Sequence, residues 1–269
     1  MLLSKSQERG VRSMHRLLAF TERNRKEILR DPLSYIFCLG FPLVMLIIMT
    51  LVDQSIPKEA GMTVFHIENL SGGILVFAQT FIMLFTAITV AKDRSGSFLV
   101  RMYATPMTSR DFIGGYILPM LLLYLIQAVI TVITAFIIAL ITKADLKISG
   151  LILGIVLGLP SAVLFIGFGL LAGTLFNEKA APGMCSILIS LGSFLGCIWF
   201  DADATGGVML KICRCLPFYY CTKTVRAAMQ LQFIGNAFWK PLAIVSVCAV
   251  VILTLAILAF RRRMRADLA

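Results

Sequence analysis

Leu70-Ser71-Gly72-Gly73 is the stretch of this 269-residue chain that most resembles chemistry. Such residues at a helix start can hold a nucleotide phosphate on backbone N–H groups, provided a facing surface supplies a glycine-rich loop and its lysine. This chain does not supply them. None of its 20 glycines is followed by lysine, so G-x-x-x-x-G-K-[ST] has no match. The simpler reading makes Ser71 the N-cap of an apolar helix. Asp201 and Asp203 form a close acidic pair at the end of an apolar run, but no histidine joins them, which favours a solvated loop over a catalytic pair. Cys213, Cys215 and Cys221 permit one disulfide among themselves, and His15 and His66 are too distant in sequence to complete a zinc site. No residue is therefore assigned to catalysis, to a cofactor or to a metal.

The elements that must position these residues are written in the composition. Hydrophobic residues make up 59% of the chain and charged residues 14%, and the mean hydropathy is +0.90. A soluble fold of this size would expose too much apolar surface, so the chain belongs in a bilayer. Six uncharged apolar runs are long enough to cross ~30 Å of hydrocarbon. They are Ser34–Val52, Ser71–Ala91, Ile113–Ile141, Gly150–Phe176, Pro182–Phe200 and Pro241–Phe260. With both termini inside, 17 of the 25 Lys and Arg fall on the inner side, as basic retention requires. The expectation is an all-α membrane protein of the plasma (inner) membrane with cytoplasmic termini. Residues 1–33 form a separate cytoplasmic helix and 34–269 a single six-helix domain.

Residues 8–31 read as a basic amphipathic helix. Val11, Met14, Leu18 and Leu29 share one face, while Arg12, Arg16, Arg23 and Arg30 share another, suited to anionic headgroups. Between the second and third runs, residues 92–112 contain a short amphipathic helix marked by Phe98, Leu99, Met102 and Tyr103. Thr105-Pro106 must end it, and Thr108-Ser109-Arg110-Asp111 offers a capping box for the next helix. Residues 201–240 are helical in pattern, with Pro217 as a helix opener, and Trp199 and Trp239 flank them as an aromatic belt. Pro119 and Pro160 lie within runs and predict kinks.

In this order the elements resemble the type-2 ATP-binding cassette (ABC) export permeases over essentially the whole chain. The stretch Lys92-Asp93-Arg94-Ser95-Gly96-Ser97-Phe98-Leu99-Val100-Arg101-Met102-Tyr103-Ala104-Thr105-Pro106 is similar to the family's coupling segment. Leu216-Pro217-Phe218-Tyr219-Tyr220, followed by Val225-Arg226-Ala227 and Gly235, is similar to its outer segment. Asp93 stands alone where the family usually carries a glutamate-rich cluster. The resemblance implies a permease without a nucleotide site, with ATP and Mg on a separate ABC ATPase subunit and a second permease copy as homodimer or sister-permease heterodimer. It also implies that Asp93, Arg94, Gly96, Phe98, Leu99, Arg101, Met102, Tyr103, Thr105 and Pro106 couple to the ATPase.

Polar groups inside the runs are neutral and sparse. Gln79, Thr86, Gln127, Thr131 and Ser190 are candidates to line a pathway, which suits an amphipathic or hydrophobic substrate such as a drug, peptide antibiotic or lipid conjugate. Two other classes compete. An ion-coupled secondary transporter normally buries ionisable groups at mid-membrane, and the six runs hold none; a structural membrane subunit without transport of its own is the other alternative. Nothing in the chain calls for nucleic acid.

Overall fold

A computed structural model of the chain describes residues 2–57, 62–96, 107–233 and 235–266. These residues form helices and, among them, no strand. The helices are α1 (Leu2–Arg30), α2 (Pro32–Ser55, with a π-turn at Ile36–Gly40), α3 (Ile67–Ser95) and α4 (Ser109–Thr142). They continue with α5 (Ile148–Leu157), α6 (Leu159–Leu175), α7 (Ala181–Leu195), α8 (Ala202–Thr205), α9 (Gly207–Cys215), α10 (Pro217–Met229) and α11 (Asn236–Ala266). Five stretches are long and apolar enough to span a membrane: α2, α3, most of α4, α5 with α6, and most of α11.

The chain is organised around α3, which packs against α2, α4, α6, α7 and α10. Over its most apolar window 83% of α3 is buried, against 17% for α11, so most of α11 is left uncovered by the rest of the protomer. Glycine sets how closely α3 meets α6. A Cβ at Gly169 would collide with the Met83 carbonyl and lie 2.7 Å from Thr86 Cβ, and one at Gly173 would lie 2.6 Å from the Ala87 oxygen. In lipid, where apolar side chains gain nothing by leaving their surroundings, close backbone contact of this kind is a main source of helix association.

Two expectations need correction. The run Pro182–Phe200 is helical only over Ala181–Leu195. Those 15 residues rise about 22 Å, short of the ~30 Å hydrocarbon layer. The helix stops because Gly196 closes it, its N–H bonded to the Gly192 carbonyl, and Cys197 then turns into left-handed backbone at φ 57°. Ser71 is not an N-cap. The helix begins four residues earlier, with His66 at the cap, and the buried Ser71 hydroxyl donates to Met229 Sδ at 3.5 Å.

The remaining element boundaries follow local signals, though Pro160 stands after a full break where the sequence predicts a kink. Asp31 caps the start of α2 through the Leu33 N–H, with Pro32 in the first turn. Thr108 and Asp111 exchange both bonds of a capping box at the start of α4. Pro217 opens α10. Pro160 marks a full break, α5 ending at Leu157 and α6 beginning at Leu159. The carbonyls released there are taken by side chains. Tyr124 Oη donates to Ile155 O at 2.7 Å, Ser161 Oγ to Gly158 O at 2.7 Å, and Gln79 Nε2 to Gly158 O at 3.4 Å.

Gly169→Ala or Gly173→Ala should destabilise the fold by about 1–3 kcal/mol through overpacking, read as a lower thermal unfolding midpoint in detergent. Gly183→Ala, whose added Cβ meets nothing within 4 Å, should leave that midpoint unchanged.

Candidate functional site

Two polar knots sit at opposite ends of the bundle. One lies where α3 ends and α4 begins, the end at which Phe260 near the C-terminus packs 6.3 Å from Phe112. Successive residues of a helix point about 100° apart, so four in a row reach neighbours on all sides. The last four residues of α3 do this. Lys92 Nζ donates to Glu27 on α1 at 3.0 Å. Asp93 receives both terminal nitrogens of Arg23 on α1, at 2.6 and 2.8 Å, and the Tyr116 hydroxyl of α4 at 2.8 Å. Arg94 donates to the carbonyls of Gly173 (2.9 Å), Thr174 and Phe176 (3.3 Å), capping the C-terminus of α6. Ser95 Oγ donates to Glu178, between α6 and α7, at 2.8 Å.

Asp93 is only 3% exposed, and a carboxylate so buried is tolerable only when paired and hydrogen-bonded. Arg23 is held by more than its charge. It also bonds Glu27 at 2.8 Å and Asn24 Oδ1 at 2.7 Å, while Asn24 Nδ2 reaches the Gly115 carbonyl at 2.9 Å. Burial alone would lower the Arg23 pKa, but the hydrogen bond and charge of Asp93, with Glu27, outweigh it and hold the pKa above the ordinary arginine value. Phe20 completes the joint, edge-on to Phe112 (5.4 Å) and Tyr116 (5.1 Å). Gly115 leaves the room, since a Cβ there would clash with the Phe20 ring.

Helix α1 consequently has three sectors. Phe20, Asn24 and Ile28 face the protein; Met14 (66% exposed), Leu18 and Leu29 face outward; and Arg16, Arg23 and Arg30 lie between, with Arg23 turned to Asp93. The Arg12 side chain lies outside the described residues.

Of the expected coupling residues, Asp93, Arg94 and Gly96 are described, Gly96 being the C-cap of α3 with its N–H on the Lys92 carbonyl. Phe98, Leu99, Arg101, Met102, Tyr103, Thr105 and Pro106 lie outside the described residues. Of the pathway candidates, Gln79, Thr86, Gln127 and Thr131 are buried within the protomer and Ser190 is exposed. The Gln127 carboxamide has no partner among the described residues.

The second knot is built on Arg226 of α10. Its guanidinium donates to the carbonyls of Asn69 (2.9 Å), Cys197 (2.9 Å) and Ile198 (3.1 Å). This explains the paired glycines of Leu70-Ser71-Gly72-Gly73: a Cβ at Gly72 would stand 3.0 Å from Arg226 Cα, and one at Gly73 3.0 Å from its Nη2. Burial draws the Arg226 pKa down to about 10, leaving it cationic at neutral pH. Beside it Asp203 accepts from Tyr219 (2.8 and 2.9 Å), Lys223 (2.9 Å) and Arg214 (3.2 Å). Arg226, Asp203, Tyr219 and Lys223 line a cleft of about 540 Å³ with Asn69, Thr222 and Gln230. Burial pushes the Asp203 carboxyl up, but bonds from Lys223 and Tyr219 and the charge of Lys223 bring it below the ordinary carboxylate value.

Sequence reasoning missed Glu27, Asn24 and Tyr116 as members of the first knot. A signal was available in Phe20, Asn24 and Ile28, whose spacing of four puts an amide in an otherwise apolar stripe.

Long apolar helices, a central buried span and polar knots at the helix ends define a multi-pass membrane protein. Residues 15–230 match the family model described as ABC-2 type transporter, and the chain belongs to that family. A search of curated proteins returned no match. Membership makes the chain a membrane-embedded permease subunit of an ABC transporter, a class that works with an ATPase partner.

Two outcomes follow from the knots. Removing one partner of the buried pair, by Asp93→Asn or Arg23→Met, should cost about 3 kcal/mol, near the lower end because the Arg23 side chain is one-third exposed. The double variant should cost less than the sum, as chemical denaturation of the single and double variants will read. For Asp203 the folded pKa is depressed, so its stabilisation is full above the unfolded value and is lost as pH falls through the folded one. Hydrogen exchange over α8–α10 should therefore quicken as pH falls below about 4, beyond its intrinsic change, and Asp203→Asn should flatten that dependence.

Proposed function

We propose that this chain is the permease of an ABC exporter, moving an amphipathic or hydrophobic molecule such as a drug, peptide antibiotic or lipid conjugate outward across the plasma membrane. A separate ATPase subunit would hold ATP and Mg, and two permease copies, or one with a sister permease, would enclose the path. In this reading both termini are cytoplasmic, residues 1–33 form the surface helix, and residues 34–269 form the transmembrane domain. Residues 92–112 are the coupling segment and 201–240 the outer cover.

The observation that carries the reading is the fan of contacts made by Lys92, Asp93, Arg94 and Ser95. A push on residues 97–106 must pass through these four side chains on one flank and the Thr108–Asp111 capping box on the other. On the first flank it reaches α1, α4 and the α6–α7 corner together, so the helices move as a body, as a rigid-body transition between two openings requires. Phe98, Met102 and Tyr103 would fill an apolar groove of the ATPase, with Arg94 and Arg101 near its acidic rim. The polar-neutral interior favours ATP coupling over an ion gradient, because the buried charges of the first knot lie at a helix end and not at mid-span.

Met102→Glu or Tyr103→Glu should abolish ATP-driven transport in vesicles containing the permease and its ATPase, while insertion and unfolding midpoint stay unchanged. Full transport by both variants would remove the coupling assignment. Transport by the purified chain alone under a proton or sodium gradient would overturn the class.

A further inference from the structure

All seven cysteines are free thiols in this structure, but two of them share a site. Cys197, in the turn after α7, and Cys213, on α9, are both buried and belong to one small apolar cluster with Ala202 and Tyr219. Leu195, Phe200, Met209 and Leu210 pack around it. The cluster is separate from the main core and draws together α8, α9 and the start of α10. Four buried residues are few for such a cover, and small units that cannot bury enough apolar surface are commonly cross-linked. Cys215, two residues on and so on the opposite side of α9, is exposed.

We propose that Cys197 and Cys213 form a structural disulfide that staples α9 to the turn closing α7. The bond rests on the reading above in one respect, that residues 201–240 face the oxidising side of the membrane. A Cys213 thiolate attacks the disulfide of a thiol oxidoreductase, expelling one of its sulfurs as a thiolate. The Cys197 thiolate then displaces the other sulfur from the mixed disulfide. The chain loses two protons and two electrons, and the oxidoreductase leaves as a dithiol. Both sulfurs are buried in the folded chain, so the exchange takes place before α9 docks. Burial, together with the neighbouring Cys213, raises the Cys197 pKa, so once folded Cys197 is a poor nucleophile for late exchange. The staple would hold in place the Cys197 and Ile198 carbonyls on which Arg226 rests.

The test uses the full chain, expressed in its membrane and denatured without reductant in N-ethylmaleimide. Five of the seven cysteines should take up reagent, rising to seven when the chain is reduced and alkylated again, and the unlabelled chain should weigh about 2 Da less before reduction than after it. Digestion should return a peptide pair linked through Cys197 and Cys213. Cys213→Ser should give six adducts with or without reductant and a lower unfolding midpoint than unreduced wild type, and the wild-type count stands even if that variant fails to fold. Seven adducts in unreduced wild type, or a cross-link to Cys215 or Cys221, would overturn the proposal. A membrane-impermeant maleimide on intact cells separates the two readings. Seven adducts with Cys215 labelled from outside sinks the staple alone, whereas seven adducts with Cys215 labelled only after permeabilisation sinks the orientation as well.

Discussion

The structure depends on how a single buried carboxylate is kept charged at the end of a greasy helix. Asp93 has Arg23 on one side and Tyr116 on the other, and without them its desolvation would outweigh most of what the surrounding packing contributes. Arg23 comes from a surface helix that meets the bundle through its Phe20, Asn24 and Ile28 stripe. The ion pair and the Phe20 joint together fix α1 to α4. They also orient the chain as it leaves α3 for residues 97–106.

The far end of the bundle uses the opposite chemistry. Arg226 is held by hydrogen bonds to three backbone carbonyls. Two of these belong to the turn where α7 has ended, so the guanidinium serves as a cap for a helix terminus whose oxygens would otherwise face apolar surroundings. One knot thus joins helices through side-chain charge, the other through main-chain dipoles. Between them lies α3, which packs against α2, α4, α6, α7 and α10.

Much of the architecture was legible in the sequence because hydrophobic length is a coarse signal and the bilayer enforces it. The spans at Ser71–Ala91, Ile113–Ile141 and Pro241–Phe260 sit inside longer helices with their ends extended by polar turns. The Thr108–Asp111 box and the Pro217 start could be read because capping is local. The early stop of α7 could not, since Ile198, Trp199 and Phe200 are as apolar as a helix would be and a glycine such as Gly196 is common inside membrane helices. Likewise Gly72 and Gly73 looked like a helix start or a phosphate loop, whereas their reason is a side chain more than 150 residues away. Arg23 was readable as basic, but its pairing with Asp93 is a tertiary fact that no local pattern encodes.

The brevity of α7 has a consequence for the lipid around it. Its 15 helical residues fall about 8 Å short of the hydrocarbon layer, and the apolar turn at Cys197–Phe200 covers only part of the gap. A lipid-facing helix of that length is met by thinning of the bilayer or by polar flanking groups reaching down to it, at a cost of fractions of a kcal/mol per Å. A bilayer thinned beside α7 would bring headgroups and water toward the end of the bundle where Arg226 gathers its three carbonyls.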